Sequence, residues 1–111
     1  MENKRRVEYI PKLFESLSNK DTSFKKFDYG KLQYSLIPQE VMKELAKVLT
    51  YGADKYGAEN WKLCDNKSRY VDALYRHLEA WRGGELLDKE SGLSHLSHAI
   101  TNLAFLIYFE R

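Results

Sequence analysis

The stretch GLSHLSHAITNLAFLIYFE, residues 92–110, decides the fold class of this chain. Its aliphatic side chains recur every three or four positions, which is the spacing of one face of an α-helix. They are Leu93, Leu96, Ile100, Leu103 and Ile107. No Asp, Glu, Lys or Arg lies between Ser91 and Phe109. A helix without a charged face is usually central in its domain or covered by another subunit, and in a chain of 111 residues we expect the second.

Two further segments have helical spacing, PQEVMKELAKVLTYGADKYG at residues 38–57 and SRYVDALYRHLEAWRG at residues 68–83. Pro38 suits the first turn of a helix, and Gly52 and Gly57 are stop signals that place its end around residues 51–56. Ser68 is a candidate N-cap for the second segment. No segment shows the sustained alternation of a β-strand with hairpin turns. The sequence therefore predicts an all-α fold, a small helical bundle with an extended N-terminal segment.

The composition excludes several classes of partner. A net charge of +2 is too small to indicate binding to a nucleic-acid polymer. The single cysteine, Cys64, cannot form an internal disulfide, which fits a reducing compartment. The N-terminal residues MENKRRVEYI lack the apolar core of a secretion signal, and the uncharged run at residues 91–109 contains two histidines and an asparagine. We therefore expect a cytoplasmic protein with no membrane partner.

Carboxylates and histidines are concentrated in RHLEAWRGGELLDKESGLSHLSHA, residues 76–99. Glu85 and Asp88 are three apart, so one helical turn would aim both carboxylates the same way. His95 and His98 have the same spacing, and a helix–turn–helix would bring the two pairs face to face. Carboxylates alone favour Mg²⁺ or Mn²⁺, whereas added imidazole shifts the preference toward Mn²⁺ or a softer metal. The stretch therefore predicts a divalent metal site.

A structural interpretation of the same residues stays open. A carboxylate pair three apart is common on helix surfaces, and two histidines on a partly apolar face are often hydrogen-bonded core residues. A second cluster, YGADKYGAENW at residues 51–61, has the same ambiguity. Its aromatic rings, amide and lysine suit a nucleobase and a phosphate. They equally suit a helix C-terminus whose lysine complements the helix dipole while the aromatics pack on the core.

Three motifs occur together and in order: GA-x-KYG-x-x-NW at residues 52–61, RH-x-x-AW at residues 76–81, and GE-x-x-D-x-ESG followed by H-x-x-HA across residues 84–99. The combination resembles a phage and bacterial family of dATP/dGTP diphosphohydrolases, grouped with the MazG-like all-α nucleoside triphosphate pyrophosphohydrolases. The resemblance assigns residues 31–111 to a MazG-like nucleotide pyrophosphohydrolase domain. Residues 1–30 are then a polar N-terminal extension.

The resemblance implies an activity. A (d)NTP, dATP or dGTP in the family's name, would be cleaved between the α- and β-phosphates to a (d)NMP and pyrophosphate, with Mg²⁺ or Mn²⁺ as cofactor. The bundle would be completed by homo-oligomerisation as a dimer or tetramer. If a phage encodes the protein, it would act in the host cytoplasm on a purine (deoxy)nucleoside triphosphate.

The resemblance also implies site residues. MazG-like enzymes hold metal with E-x-x-E on one helix and E-x-x-D on the next, whereas this chain has histidines where the second acidic pair would be sought. The expected metal ligands are Glu85, Asp88, His95 and His98, with Glu79 or Glu90 as the alternative to one of them. The expected catalytic residues are His77 and Glu85. The expected substrate-binding residues are Lys31, Lys55, Tyr56, Asn60, Trp61 and Arg76.

Two other functions compete with hydrolysis. The chain could bind nucleotides without cutting them, as a phage sponge protein, although a sponge does not need metal ligands. Alternatively, the uncharged helix could serve assembly alone, in which case substitution of His95 or His98 would change only stability or oligomeric state.

Overall fold

A computed structural model describes residues 22–111 of the chain. The described part contains three α-helices, which we call α1 (Gln39–Tyr56), α2 (Ser68–Arg82) and α3 (His95–Glu110). It contains no strand, and an isolated antiparallel bridge pairs Leu87 with Ser94. The predicted all-α fold class is therefore confirmed. The MazG-like character of the bundle and its completion by other subunits stay predictions.

The chain divides into two compact units between Leu36 and Ile37. In the first unit, residues 22–33 form neither helix nor strand, and a short 3₁₀ turn follows at Tyr34–Leu36. The second unit holds the three helices and a 3₁₀ turn at Asn60–Leu63. Most of the expected N-terminal extension lies outside the described residues, so its boundary at residue 30 stays a prediction.

The ends of the helices follow local capping chemistry. Helix α1 ends at Tyr56 because Gly57 adopts φ 100° and donates its backbone N–H to the carbonyl of Ala53. Helix α3 begins at His95, later than the start of the quoted stretch, because the Ser94 hydroxyl accepts a hydrogen bond from the Leu96 N–H at 3.1 Å.

The predicted N-cap of α2 is wrong. Ser68 is the first residue of the helix, and the residue before it, Lys67, makes no side-chain cap. Instead, Oδ1 of Asn66 accepts hydrogen bonds from the Ser68 N–H at 3.1 Å and from the Ser68 hydroxyl at 2.7 Å. One free N–H of the first turn, that of Ser68, therefore meets a side-chain amide oxygen two residues upstream.

Helix α3 packs against both α2 and α1, and it does so through polar side chains. Its buried residues are His95, Ser97, Ala99, Thr101 and Asn102. Each buried polar group has a partner: the Ser97 hydroxyl donates to Glu44 on α1, and Thr101 and Asn102 donate to carbonyls one turn earlier. The bond from Ser97 to Glu44 joins α3 to α1, whereas the Thr101 and Asn102 bonds lie within α3 itself.

The aliphatic face of α3 points away from the other helices. Leu96, Leu103 and Ile107 remain 41%, 44% and 60% exposed. Among the described residues of the helical unit, these three side chains stay exposed, and the expected cover of this face by another subunit stays a prediction.

Half-buried aromatic side chains form an apolar cluster at the other end of α3. The Trp61 ring stacks on Phe105, with centroids 4.5 Å apart and planes inclined by 20°. Tyr70 of α2 lies 4.9 Å from Phe105, and its hydroxyl donates to the backbone carbonyl of Trp61 at 2.8 Å. Offset ring contacts of this kind stabilise a small core beyond the area they bury. They tie the 3₁₀ turn to α2 and α3.

Within residues 22–111, none of the helices is long and apolar enough to cross a membrane.

Candidate metal centre

Residues 83–94 form the loop that joins α2 to α3, here called the site loop. Helix α2 cannot continue into it because Gly84 has φ 103°, a left-handed conformation outside the helical region. The loop then folds back on itself: Asp88 donates its N–H to Leu93 at 2.7 Å and accepts from the Gly92 N–H at 2.8 Å. The prediction that Glu85 and Asp88 share one helical turn is therefore wrong.

The site loop nevertheless brings its carboxylates to the start of α3. The His95 N–H donates to the carbonyl of Leu86 at 3.0 Å, which holds the two ends of the loop together. The Asp88 side chain is fixed within the loop, because its Oδ2 accepts the Ser91 N–H at 2.8 Å. Asp88 reaches His95 through this turn and not through a helix–turn–helix.

Three side chains from three elements converge on one point. His77 of α2, Asp88 of the site loop and His95 of α3 each offer a ligand atom, and these atoms all lie within 4.8 Å of one another. His95 is buried, and the other two side chains are partly buried. Two imidazoles and one carboxylate at this spacing form a candidate metal site, which we call the His/Asp/His cluster.

The ring of His95 is held at both nitrogens. Its Nε2 lies 2.8 Å from Oε1 of Glu85, and its Nδ1 lies 2.8 Å from Nδ1 of His77. Because a carboxylate accepts the Nε2 proton, the lone pair of Nδ1 faces His77. Two ring nitrogens this close share either a proton or a metal ion. At many metal sites, a histidine ligates the metal through one ring nitrogen and donates the proton of the other nitrogen to a carboxylate.

Glu85, expected to be a metal ligand, thus contacts the ion site through His95. His98, also an expected ligand, lies beside the cluster: its Nε2 is 2.7 Å from the Ser91 hydroxyl and 4.0 Å from Oδ2 of Asp88. Its ring stacks on His77, with centroids 4.5 Å apart and planes inclined by 7°. His77, expected to be a catalytic base, lies in the cluster itself.

The protonation states in the cluster suit a divalent ion. Burial, together with the neighbouring His98 and His95, lowers the pKa of His77 to about 4 against the pull of Asp88. Burial raises the pKa of Asp88, but hydrogen bonds from the backbone and hydroxyl of Ser91 outweigh it and leave that pKa below its usual value. A neutral imidazole and an ionised carboxylate are the forms that ligate metals. The donor set therefore fits Mn²⁺ or a softer metal better than Mg²⁺.

The Glu90 carboxylate is bound by two donors on α1, beside the cluster. The Tyr51 hydroxyl donates to Oε2 of Glu90 at 2.8 Å, and the Lys55 ammonium binds the same oxygen. This contact raises the pKa of Lys55 and lowers that of Glu90. The Tyr51 ring meets the His98 ring edge-on, with centroids 6.4 Å apart. Lys55, expected to bind substrate, therefore lies close to the cluster.

The sequence offers Tyr51 as one of the aromatic rings for a nucleobase and Glu90 as an alternative metal ligand, but it does not predict the contact between them. The signal for Tyr51 is its position four residues before Lys55, which places both on one face of α1. Glu90 belongs to the ESG motif, but no spacing along the chain predicts its contact with α1, because only the fold of the site loop turns it there.

The other expected substrate residues lie in varied surroundings. Tyr56 is 61% exposed, with the Lys55 ammonium 5.1 Å from its ring centroid. Asn60 and Arg76 are exposed, and Arg76 precedes His77 on α2. Trp61 has one ring face against Phe105, and Lys31 belongs to the unit that ends at Leu36. Their contacts with a nucleotide stay predictions.

The fold and the cluster define an all-α domain that carries a candidate metal centre. A sequence model of the family described as "dATP/dGTP diphosphohydrolase, N-terminal" matches residues 21–111. The chain belongs to that family.

A curated relative supports the family assignment. The chain is 39% identical over 83 residues to a protein of Salmonella phage PMBT28 named dATP/dGTP diphosphohydrolase. The match covers 75% of this chain and 28% of the relative, so the chain spans less than a third of that protein. No solved structure matches the chain.

Proposed function

We propose that this domain is a metal-dependent nucleoside triphosphate pyrophosphohydrolase that acts on purine deoxynucleotides such as dATP and dGTP. It would cleave between the α- and β-phosphates and release a (d)NMP and pyrophosphate. The observation that carries the proposal is the His/Asp/His cluster with the Tyr51 and Lys55 donors beside it. The names of the family and of the phage relative supply the substrate class.

In this proposal, His77, Asp88 and His95 hold a divalent ion. When bound, such an ion would neutralise phosphate charge and make a bound water a better nucleophile. Glu85 would orient His95 through the Nε2 proton and would not itself ligate. His77 and Glu85 were expected to be catalytic. In this proposal His77 would hold the ion, and Glu85 would orient His95.

His98 is the neutral base next to the cluster. Burial lowers its pKa, so near neutral pH the ring can accept a proton from water. Its Nε2 is positioned by the Ser91 hydroxyl at 2.7 Å, which sits in the same turn as Asp88. We assign to His98 the role of proton acceptor, which was expected of His77.

The substrate side of the proposal rests on charge. Lys55 and Tyr51 would donate to phosphate oxygens, and Arg76, exposed one position before His77, would add a second cation. Tyr56, Asn60 and Trp61 stay our candidates for the purine, and Lys31 for the phosphates.

We further propose that the active form is a homo-oligomer, a dimer or a tetramer. The exposed aliphatic face of α3 supports this, because Leu96, Leu103 and Ile107 lie on one helix that has no charged residue before Glu110. Burial of such a face against a second copy is favoured at about 25 cal/mol per Å².

The test is pyrophosphate release from a panel of dNTPs and NTPs with Mn²⁺, with Mg²⁺ and with EDTA. We expect metal-dependent release, greatest with purine deoxynucleotides and better supported by Mn²⁺ than by Mg²⁺. Asp88→Asn should abolish it, whereas Asp72→Asn, at an exposed position on α2, should not. Nucleotide binding without release from any substrate would refute hydrolysis and favour the sponge function.

A further inference from the structure

The Glu90 carboxylate occupies a position that suits a phosphate. Both of its partners, the Tyr51 hydroxyl and the Lys55 ammonium, donate to one carboxylate oxygen. A hydroxyl and an ammonium that converge on one oxygen are equally good donors to a phosphate. They sit on α1, four residues apart, and are held there by the helix whether or not Glu90 is present.

The geometry also places this anion at the metal centre. Tyr51 contacts the His98 ring, and His98 stacks on His77 of the His/Asp/His cluster. Asp88 and Glu90 lie two residues apart in the site loop. Tyr51 and His98 therefore link the Lys55 donor to the cluster.

The contact between Glu90 and Lys55 is accessible to a competing anion. The side chain of Glu90 is 61% exposed and that of Lys55 is 38% exposed. Ion pairs this accessible to water are weak, because solvent screens the charges and the long side chains lose freedom. Glu90 lies at the tip of the site loop, and Asp88 and Ser91, not Glu90, make the bonds that hold the turn. Glu90 can leave without unfolding the loop.

We propose that Glu90 is a built-in competitor that holds the Tyr51 and Lys55 donors until a polyphosphate displaces it. The inference rests on the proposed function in that the natural displacing group would be the substrate's phosphate chain. A triphosphate carries several charges and can displace one carboxylate. A monophosphate competes poorly, so Glu90 favours a triphosphate substrate over a monophosphate product.

The test is calorimetric titration of the protein with inorganic tripolyphosphate in EDTA, so that no metal contributes. Glu90→Gln should bind tripolyphosphate about tenfold more tightly than the wild type, because the donors are then free of a charged competitor. Adding Lys55→Gln to Glu90→Gln should remove that gain. Glu79→Gln is the matched control, since it also removes one negative charge, from an exposed pair with Arg82 at 2.8 Å.

Three results would overturn the proposal. Unchanged or weaker tripolyphosphate binding by Glu90→Gln would show that the carboxylate does not compete. Equal gains in Glu90→Gln and Glu79→Gln would show an effect of net charge alone, and no binding by any variant would show that this is not an anion site. Because the assay measures binding without turnover, an inactive wild type would refute the proposed hydrolysis and leave this result standing.

Discussion

The Nε2 atom of His95 lies 2.8 Å from Oε1 of Glu85, and the other ring nitrogen of His95 faces His77 at the same distance. A carboxylate at this distance favours the tautomer with the proton on Nε2, which leaves the lone pair of Nδ1 facing the cluster. The Glu85 side chain is 38% exposed, so it contacts the buried His95 ring from the solvent-facing edge of the site.

Replacement of Glu85 by Gln should weaken metal binding without removing a ligand. Loss of a group that orients a metal-binding histidine typically costs 10–100-fold in affinity, and we expect a loss in that range for Mn²⁺. Competition with a metallochromic chelator measures it. Asp88→Asn should lose more, because it removes a ligand, whereas Glu79→Gln should bind as the wild type does. Wild-type affinity in Glu85→Gln would contradict the orienting role.

Replacement of Leu103 by Glu should break the proposed oligomer. A charge placed in the middle of the aliphatic face of α3 would have to be desolvated in any contact between copies. Light scattering coupled to gel filtration should give a smaller mass for Leu103→Glu than for the wild type. Leu63→Glu is the control, because Leu63 is 78% exposed on the 3₁₀ turn. A monomeric wild type would contradict the assembly.

Replacement of Trp61 by Ala tests whether this ring serves the core or a nucleobase. Because Trp61 stacks on Phe105, we expect the free energy of unfolding to fall by about 3 kcal/mol. Urea denaturation followed by circular dichroism measures the change. Tyr56→Ala, at a side chain that is 61% exposed, should cost far less. If Trp61→Ala kept its stability and lost only nucleotide affinity, Trp61 would be a base platform and not a core residue.

The raised pKa of Tyr70 predicts that the protein loses stability in alkaline solution. Burial, with help from Cys64, raises the pKa of Tyr70 from 10.0 to about 12. The folded state therefore keeps its proton where the unfolded state loses it, and this contribution to stability is present below pH 10 and disappears as the pH rises to about 12. Tyr70→Phe should show a shallower decline in stability over that interval. An identical decline in both proteins would show that other groups cause it.

Much of the fold follows from local patterns. Apolar residues at helical spacing predicted all three helices, and of the two expected stops Gly57 ended α1 whereas Gly52 lies within it. The missed details are matters of capping: Asn66 took the role expected of Ser68, and Ser94 set the start of α3. Caps depend on which side chain reaches the free N–H groups, and several neighbours compete for that.

The candidate site was predicted in its composition and not in its geometry. The concentration of carboxylates and histidines at residues 76–99 pointed to a metal. The spacing argument for Glu85 and Asp88 failed, because a glycine with positive φ ended α2 before them. His77, expected to be the catalytic base, lies in the His/Asp/His cluster. The sequence does not predict this, because its two partners come from the site loop and from α3.

The sequence by itself determined the helices, the family and the stock of ligating side chains, because these depend on composition and on spacing along the chain. Only the tertiary structure decided that His77, Asp88 and His95 meet, that Glu85 contacts His95, and that Glu90 binds Lys55. These contacts join residues from α1, α2, α3 and the site loop. Their distances are set by how the loop turns and how polar side chains pack, which no local pattern encodes.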